Sequence, residues 1–118
     1  MNPAKRGEIW WVSLDPTQGA EIQKTRPCLV LTSDVLNNFR QTVVVVPLST
    51  SAKAHPPITI PISCEGKSIV AVIDQIRAVA RHRLHRLKSR IEKASPETIS
   101  AVISALAEIL EMETNIST

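Results

Sequence analysis

A chain of 118 residues, 43% hydrophobic and 21% charged, is the size of one globular domain, which buries roughly two thirds of its unfolded surface. No segment reaches the roughly 18 uninterrupted apolar residues of a membrane span. The start, residues 1–6, lacks the apolar run of a secretory leader, so a cytoplasmic protein without a membrane partner is expected. The net charge of +3 points weakly to an anionic partner, and two separated cysteines, Cys28 and Cys64, make neither a disulfide framework nor a zinc site.

In chain order, Gly7-Glu8-Ile9-Trp10-Trp11-Val12-Ser13-Leu14 reads as a first strand, with Trp10, Val12 and Leu14 on one face and Ile9 and Trp11 on the other. Asp15-Pro16 stops it, and residues 17–25 form a polar loop of the kind that carries function on a rigid scaffold. Residues 27–31 and 42–46 are continuous apolar runs, expected as central strands buried on both faces. Between them 33–39 has the composition of a short helical turn. The second run leads into Pro47-Leu48-Ser49-Thr50.

In 57–62 the three isoleucines share one face, and Pro57 and Pro61, lacking donors, confine the segment to an edge. Residues 69–73 form another apolar strand, with Asp74 and Gln75 at its end. Segment 77–90, R-A-V-A-R-H-R-L-H-R-L-K-S-R, carries six fixed positive charges, two histidines and no acid. It suits a solvated strand edge and equally a track for a phosphate backbone or an acidic partner. His82 and His85 would point to opposite faces of an extended segment, so no metal site is expected. His55 sits in a loop.

The last element is a helix. Ser95 is its N-cap, Pro96 its first residue, and Ile99, Val102, Ile103, Leu106, Ile109 and Leu110 recur at helical spacing. The expected fold is mainly β with a C-terminal helix lying on a small, strongly bent β-barrel. A single domain over 1–113 and a short frayed tail over 114–118 are expected.

Arg26 is the residue hardest to assign to packing, because it stands at the mouth of an apolar run directly after a polar loop. Glu21 in that loop and the hydroxyls of Ser49 and Thr50 could converge with it where neighbouring strands end. Such a group suits a phosphodiester. Cleaving RNA without metal requires a base for the 2′-hydroxyl, positive charge on the transition state and an acid for the leaving oxygen. Arg26 supplies the charge through its planar fork. Glu21 or Asp74 is the easier base, and Ser49 and Thr50 can donate to a nonbridging oxygen. Only three aromatic residues occur, and no base-stacking platform is apparent.

The stretches G-E-I-W-W-V-S-L-D-P-T-Q-G (7–19), E-I-Q-K-T-R-P-C-L-V-L (21–31), V-V-V-P-L-S-T (44–50) and D-Q-I-R-A-V (74–79) resemble, in order, the MazF/PemK toxin family. The resemblance implies a CcdB/PemK-type barrel and a cofactor-free endoribonuclease, independent of metal and of the ribosome. Such an enzyme cuts mRNA at short motifs to leave a 2′,3′-cyclic phosphate and a 5′-hydroxyl. It also implies a homodimer, neutralised by a cognate antitoxin with an acidic disordered segment.

The family's catalytic Arg is matched by Arg26. Its catalytic Thr falls at Ser49, followed by Thr50, so either hydroxyl could serve. Glu21 and Asp74 match supporting positions, and Lys24, Thr25, Lys53, Gln75 and Arg77 are expected to contact RNA. Ala20 and Val72 stand where some relatives carry His and Arg, which leaves the proton-transfer roles open. Two alternatives remain: a CcdB-like poison of DNA gyrase, which shares the small-barrel fold, and a noncatalytic family member that only binds RNA or antitoxin, which Ser49 in place of Thr supports.

Overall fold

A computed structural model describes residues 4–14, 25–64, 66–85 and 92–111, and of His85 the backbone only. The expected tail 114–118 and the greater part of the 17–25 loop lie outside these residues. Eight strands are described: β1 (Glu8–Ser13), β2 (Thr25–Val30), β3 (Thr42–Ser49), β4 (Thr59–Cys64), β5 (Lys67–Val72), β6 (Arg77–Ala80), β7 (Leu84–His85) and β8 (Glu92–Lys93). With them are two α-helices, α1 (Asp34–Phe39) and α2 (Pro96–Leu110). All pairings are antiparallel, in the order β4-β5-β3-β2-β1-β7, with β6 also on β3 and β8 also on β1. The sheet curls into a half-barrel, which bears out the expected mainly-β fold with a C-terminal helix.

β3 is the spine. On one side Val45–Pro47 pairs with β2, and on the other Thr42–Val45 pairs with β6 before Leu48 and Ser49 pair with β5. The sequence ended this strand at Val46, but it runs through Pro47 to Ser49. Proline lacks a donor and normally leaves a central strand. Here it falls at the handover between two partners, where a 3₁₀ turn (Ile73–Gln75) joins β5 to β6. That turn also takes Ile73, which the apolar run had placed in the strand.

Period-two alternation divides the apolar residues between the two faces of the sheet. Ile9, Leu29, Val46, Leu48 and Ile69 join one core, while Trp10, Val12, Cys28, Val30 and Val45 join the other. The two faces read from the first strand are therefore both filled. α2 covers the first core through buried Val102 and Ala105, with Ile99, Leu106 and Ile109 packed alongside. Ser95 caps it as expected, its Oγ accepting from Thr98 N at 3.1 Å.

Two helical residues depart from the expected stripe: Ile103 is 39% and Leu110 73% exposed, since six apolar positions span a wider arc than the sheet can cover. Ile58 departs likewise. It lies in the turn before β4, outside the face shared by buried Ile60 and Ile62. β4 is an edge strand on the path, as its prolines required.

Gly7 fixes the approach of β1 to α2. Its φ of +92° is a left-handed conformation, its N–H donates to Val30 O at 2.8 Å, and its carbonyl accepts from Ala94 N at 2.7 Å. A Cβ there would lie 2.8 Å from Ile99 Cδ1.

Candidate active site

Arg26 is the second residue of β2 and half-buried. Its strand neighbours fix where it points: the β1–β2 register sets Trp10 against Cys28 and Val12 against Arg26, so Arg26 leaves the strand on the Cys28 face. Arg77 leaves β6 on the same face as Val79, opposite Val45. Both positive charges are near enough to act on the Cys28 thiol. Burial pushes that thiol up to about 12, and the positive charge of Arg77, then of Arg26, pulls the other way. The thiol stays neutral at ordinary pH and donates to Arg26 O at 3.7 Å, which leaves both arginine charges uncancelled. Among the described residues neither guanidinium is held by a hydrogen bond or ion pair.

The β2–β3 ladder ends at Cys28–Pro47, and Ser49, two residues on, pairs with Val70 of β5 and is not in the lining of the cavity that takes in Arg26. Ser49 is buried, and its Oγ accepts from Ser51 N at 3.2 Å and from Ala52 N at 3.1 Å. It closes the turn that follows β3. Ser51 Oγ lies 3.4 Å from it. Two N–H groups donating into one hydroxyl oxygen polarise its own O–H, which becomes the stronger donor. Thr50, by contrast, is exposed.

A cavity of about 540 Å³ opens beside these residues, with Thr25, Arg26 and Thr50 in its lining. Ser51, Lys67, Ser68 and Glu92 also contribute polar groups to it, and Trp11 an aromatic one. The structure thus joins Arg26, Thr25 and Thr50 at one cavity, and Arg26 with Arg77 about Cys28. Other expected site residues stand apart. Asp74 and Gln75 are exposed on the 3₁₀ turn against β3, and Lys53 is exposed in the loop after β3, where its carbonyl accepts from Thr59 Oγ1 at 2.7 Å. Neither segment lines the cavity. Glu21 and Lys24 lie outside the described residues.

The basic segment proves to be two short strands around a turn. Arg81–Arg83 is a 3₁₀ turn, so the histidine argument from an extended chain does not hold there. Arg81 Nη1 donates to Arg40 O at 3.3 Å and Arg83 Nη1 to Ser13 O at 3.4 Å, which commits both to backbone carbonyls. Residues 86–90 lie outside the described residues. Cys64, half-buried, belongs to the cavity.

Trp11, Lys67, Ser68 and Glu92 were not singled out from the sequence. Trp11 carried a signal: strand alternation set it on the opposite face from Trp10, which is 4% exposed and donates its indole N–H to Glu8 Oε1 at 2.9 Å. No stacking platform was apparent from the sequence; Trp11 is half-buried and lies in the cavity wall. Glu92 had no signal, since its place depends on the long-range pairing of β8 with β1, Ile9 against Glu92.

The family model for PemK-like, MazF-like toxins of type II toxin-antitoxin systems matches residues 5–110. The chain belongs to the PemK/MazF toxin family. It is 38% identical to the endoribonuclease PemK of Escherichia coli over 111 residues, covering 90% of this chain and 81% of that protein. To the endoribonuclease toxin MazF of Escherichia coli strain K12 it is 32% identical over 101 residues, covering 85% and 90%. Among solved PemK/MazF structures, MazF of Deinococcus radiodurans superposes with a TM-score of 0.77 at 24% identity, covering 93% of this chain and 98% of that one. A MazE-MazF complex from the same organism gives 0.76 at 23%, covering 95% and 99%.

Proposed function

We propose that this chain is the endoribonuclease toxin of a type II toxin-antitoxin pair, cutting single-stranded RNA without a metal ion. The observation that carries the reading is Arg26 itself, which contributes to the lining of a cavity shared with Thr50 and whose guanidinium, leaving β2 on the Cys28 face, has no carboxylate partner among the described residues. Membership in the PemK/MazF family, whose curated members PemK and MazF are named endoribonucleases, supports it.

In this reading Arg26 binds two nonbridging oxygens of the scissile phosphate and neutralises the charge that grows there as the 2′-oxygen attacks phosphorus. The P–O5′ bond breaks, leaving a 2′,3′-cyclic phosphate on one fragment and a 5′-hydroxyl on the other. The polarised hydroxyl of Ser49 and the exposed hydroxyl of Thr50 are the donors to the phosphorane-like oxygen. The 2′-hydroxyl proton passes to a carboxylate, for which Asp74 and Glu21 are the candidates, and the leaving 5′-oxygen takes up a proton. Arg77, Gln75, Thr25, Lys24 and Lys53 hold the flanking backbone. The toxin works as a cytoplasmic homodimer and is silenced by an antitoxin whose acidic disordered segment competes for the same arginines.

The test incubates purified protein and Arg26→Ala with RNA in excess EDTA and maps the new 5′ ends. Cleavage by the wild type alone, leaving 5′-hydroxyl ends, is expected. Cleavage that needs a divalent ion, or that survives in Arg26→Ala, overturns the mechanism. Tight RNA binding without new ends would assign the noncatalytic role instead.

A further inference from the structure

β8 is two residues long, and alternation sends its side chains to opposite sides: Glu92 to the cavity that takes in Arg26, Lys93 to a second hollow of about 820 Å³ along the first half of α2. That hollow also receives Arg6 from the segment before β1, Asp34 from the start of α1, and Ile99, Ser100 and Ile103 from α2. Gly7 brings the two cations together. Its carbonyl accepts from Ala94 N at 2.7 Å, and its bare Cα lets the Lys93 stem pass, with Cε 3.8 Å from where a Cβ would stand. Asp34 Oδ1 accepts from Arg6 N at 2.8 Å and so fixes the backbone that carries the guanidinium. Among the described residues neither the Arg6 nor the Lys93 side chain has a hydrogen bond or ion pair. Beside these cations Ile103 stands 39% exposed.

We propose that this hollow binds a mononucleotide, with its phosphate between Arg6 and Lys93, its base on Ile99 and Ile103, and a ribose hydroxyl donating to Asp34. The site lies apart from the cleavage chemistry and does not rest on the endoribonuclease reading. Two like charges on one rim repel, and an anion between them relieves the repulsion. A phosphate monoester carries about two negative charges near neutral pH and has three acceptor oxygens, enough for the planar fork of Arg6 and the ammonium of Lys93 at once. A single carboxylate has half that charge. The apolar wall from α2 takes a flat ring out of water, and Ser100, small and on the same helix, leaves room for it. Asp34 excludes a second phosphate from its own end but accepts from a sugar hydroxyl, because an ionised carboxylate is an acceptor only. A hollow of about 820 Å³ is within the roughly 300–1,000 Å³ usual for small-ligand sites.

The experiment titrates the full chain, isotope-labelled for amide NMR, with AMP, adenosine and inorganic phosphate. AMP should move the amides of Lys93, Ser100 and Ile103 together and bind about tenfold more tightly than either adenosine or phosphate, since only AMP meets both the cations and the apolar wall. Lys93→Gln should weaken AMP about fivefold and leave adenosine unchanged. Ser100→Trp, which fills the hollow from an exposed helix position, should abolish AMP binding, with its unfolding midpoint checked against wild type. Arg26→Ala should bind AMP as wild type does, because Arg26 is not in this hollow. Equal binding of adenosine and AMP, or of phosphate and AMP, overturns the proposal, as does the absence of shifts at about 5 mM AMP. AMP binding that survives in folded Ser100→Trp, or that is lost in Arg26→Ala, overturns it too and moves the nucleotide to another surface.

Discussion

Replacing Ser49 by Ala separates two jobs that the hydroxyl performs at once. The side chain is 8% exposed, and its oxygen receives the N–H groups of Ser51 and Ala52 at 3.2 and 3.1 Å. Removing the acceptor leaves two part-buried donors without a partner. A fully buried orphan costs about 1–3 kcal/mol, and partial access of water to this turn brings the pair together to about 1–3 kcal/mol. For a domain of this size that lowers the melting midpoint by about 3–10 °C. The same substitution removes a transition-state donor, for which a loss of about 10²–10³ in rate is typical.

Thr50→Ala is the control. It is exposed and no backbone donor depends on its oxygen among the described residues, so its stability should change by less than about 0.5 kcal/mol. Urea unfolding followed by tryptophan fluorescence, and single-turnover cleavage of an RNA in EDTA, read the two quantities separately. Ser49→Ala should lose both stability and rate, and Thr50→Ala should lose rate only if its hydroxyl is the donor. A Ser49→Ala protein as stable as wild type would refute the bonding assigned to the turn. Full activity in that variant, with Thr50→Ala inactive, would move the donor to Thr50.

Cys28 makes the fold sensitive to alkali. Its thiol goes from an ordinary value of 9.0 up to about 12 on folding, so between these values the folded protein binds the extra proton and stability falls as pH rises. The contribution is full below about pH 9 and amounts to about 4 kcal/mol at most. Cys28→Ala should therefore flatten the decline in unfolding free energy between pH 9 and 11, and an unchanged slope would contradict a buried neutral thiol. Gly7→Ala should destabilise the protein by about 1–3 kcal/mol, since it forces a non-glycine residue to φ +92° and drives a methyl against Ile99. An equilibrium unfolding curve that superimposes on wild type would show that β1 and α2 can separate there without loss.

What the sequence disclosed, and what it hid, follows one physical division. Alternation in residues 8–13 placed Trp10 and Trp11 on opposite faces without any knowledge of the fold, because a strand has a period of two. Ser95 and Pro96 marked the start of α2, because a cap is a local device. Arg26 stood out because a charge at the mouth of an apolar run lacks a local reason. The end of β3 was hidden, since Pro47 is tolerated only where two partner strands change places, and no local pattern carries that. Glu92 was hidden for the same cause: a two-residue strand contributes to the cavity only through its pairing with residues more than eighty positions away. The core face of α2 was legible in kind and too wide in extent, as Ile103 and Leu110 show.

β3 belongs to two ladders on one side and a third on the other, and this dual membership has a consequence for how the protein can diversify. Adding or deleting one residue between Thr42 and Ser49 would turn every following side chain to the opposite face and break the match with β2, β5 and β6 together. Length variation is thereby excluded from the strand that presents Ser49. It is diverted to segments outside these ladders, such as the one from β3 to β4, which adjoins Thr50 in the chain. Descendants of this sequence can therefore change what they select by altering loop length while the residues that meet the phosphate stay in register.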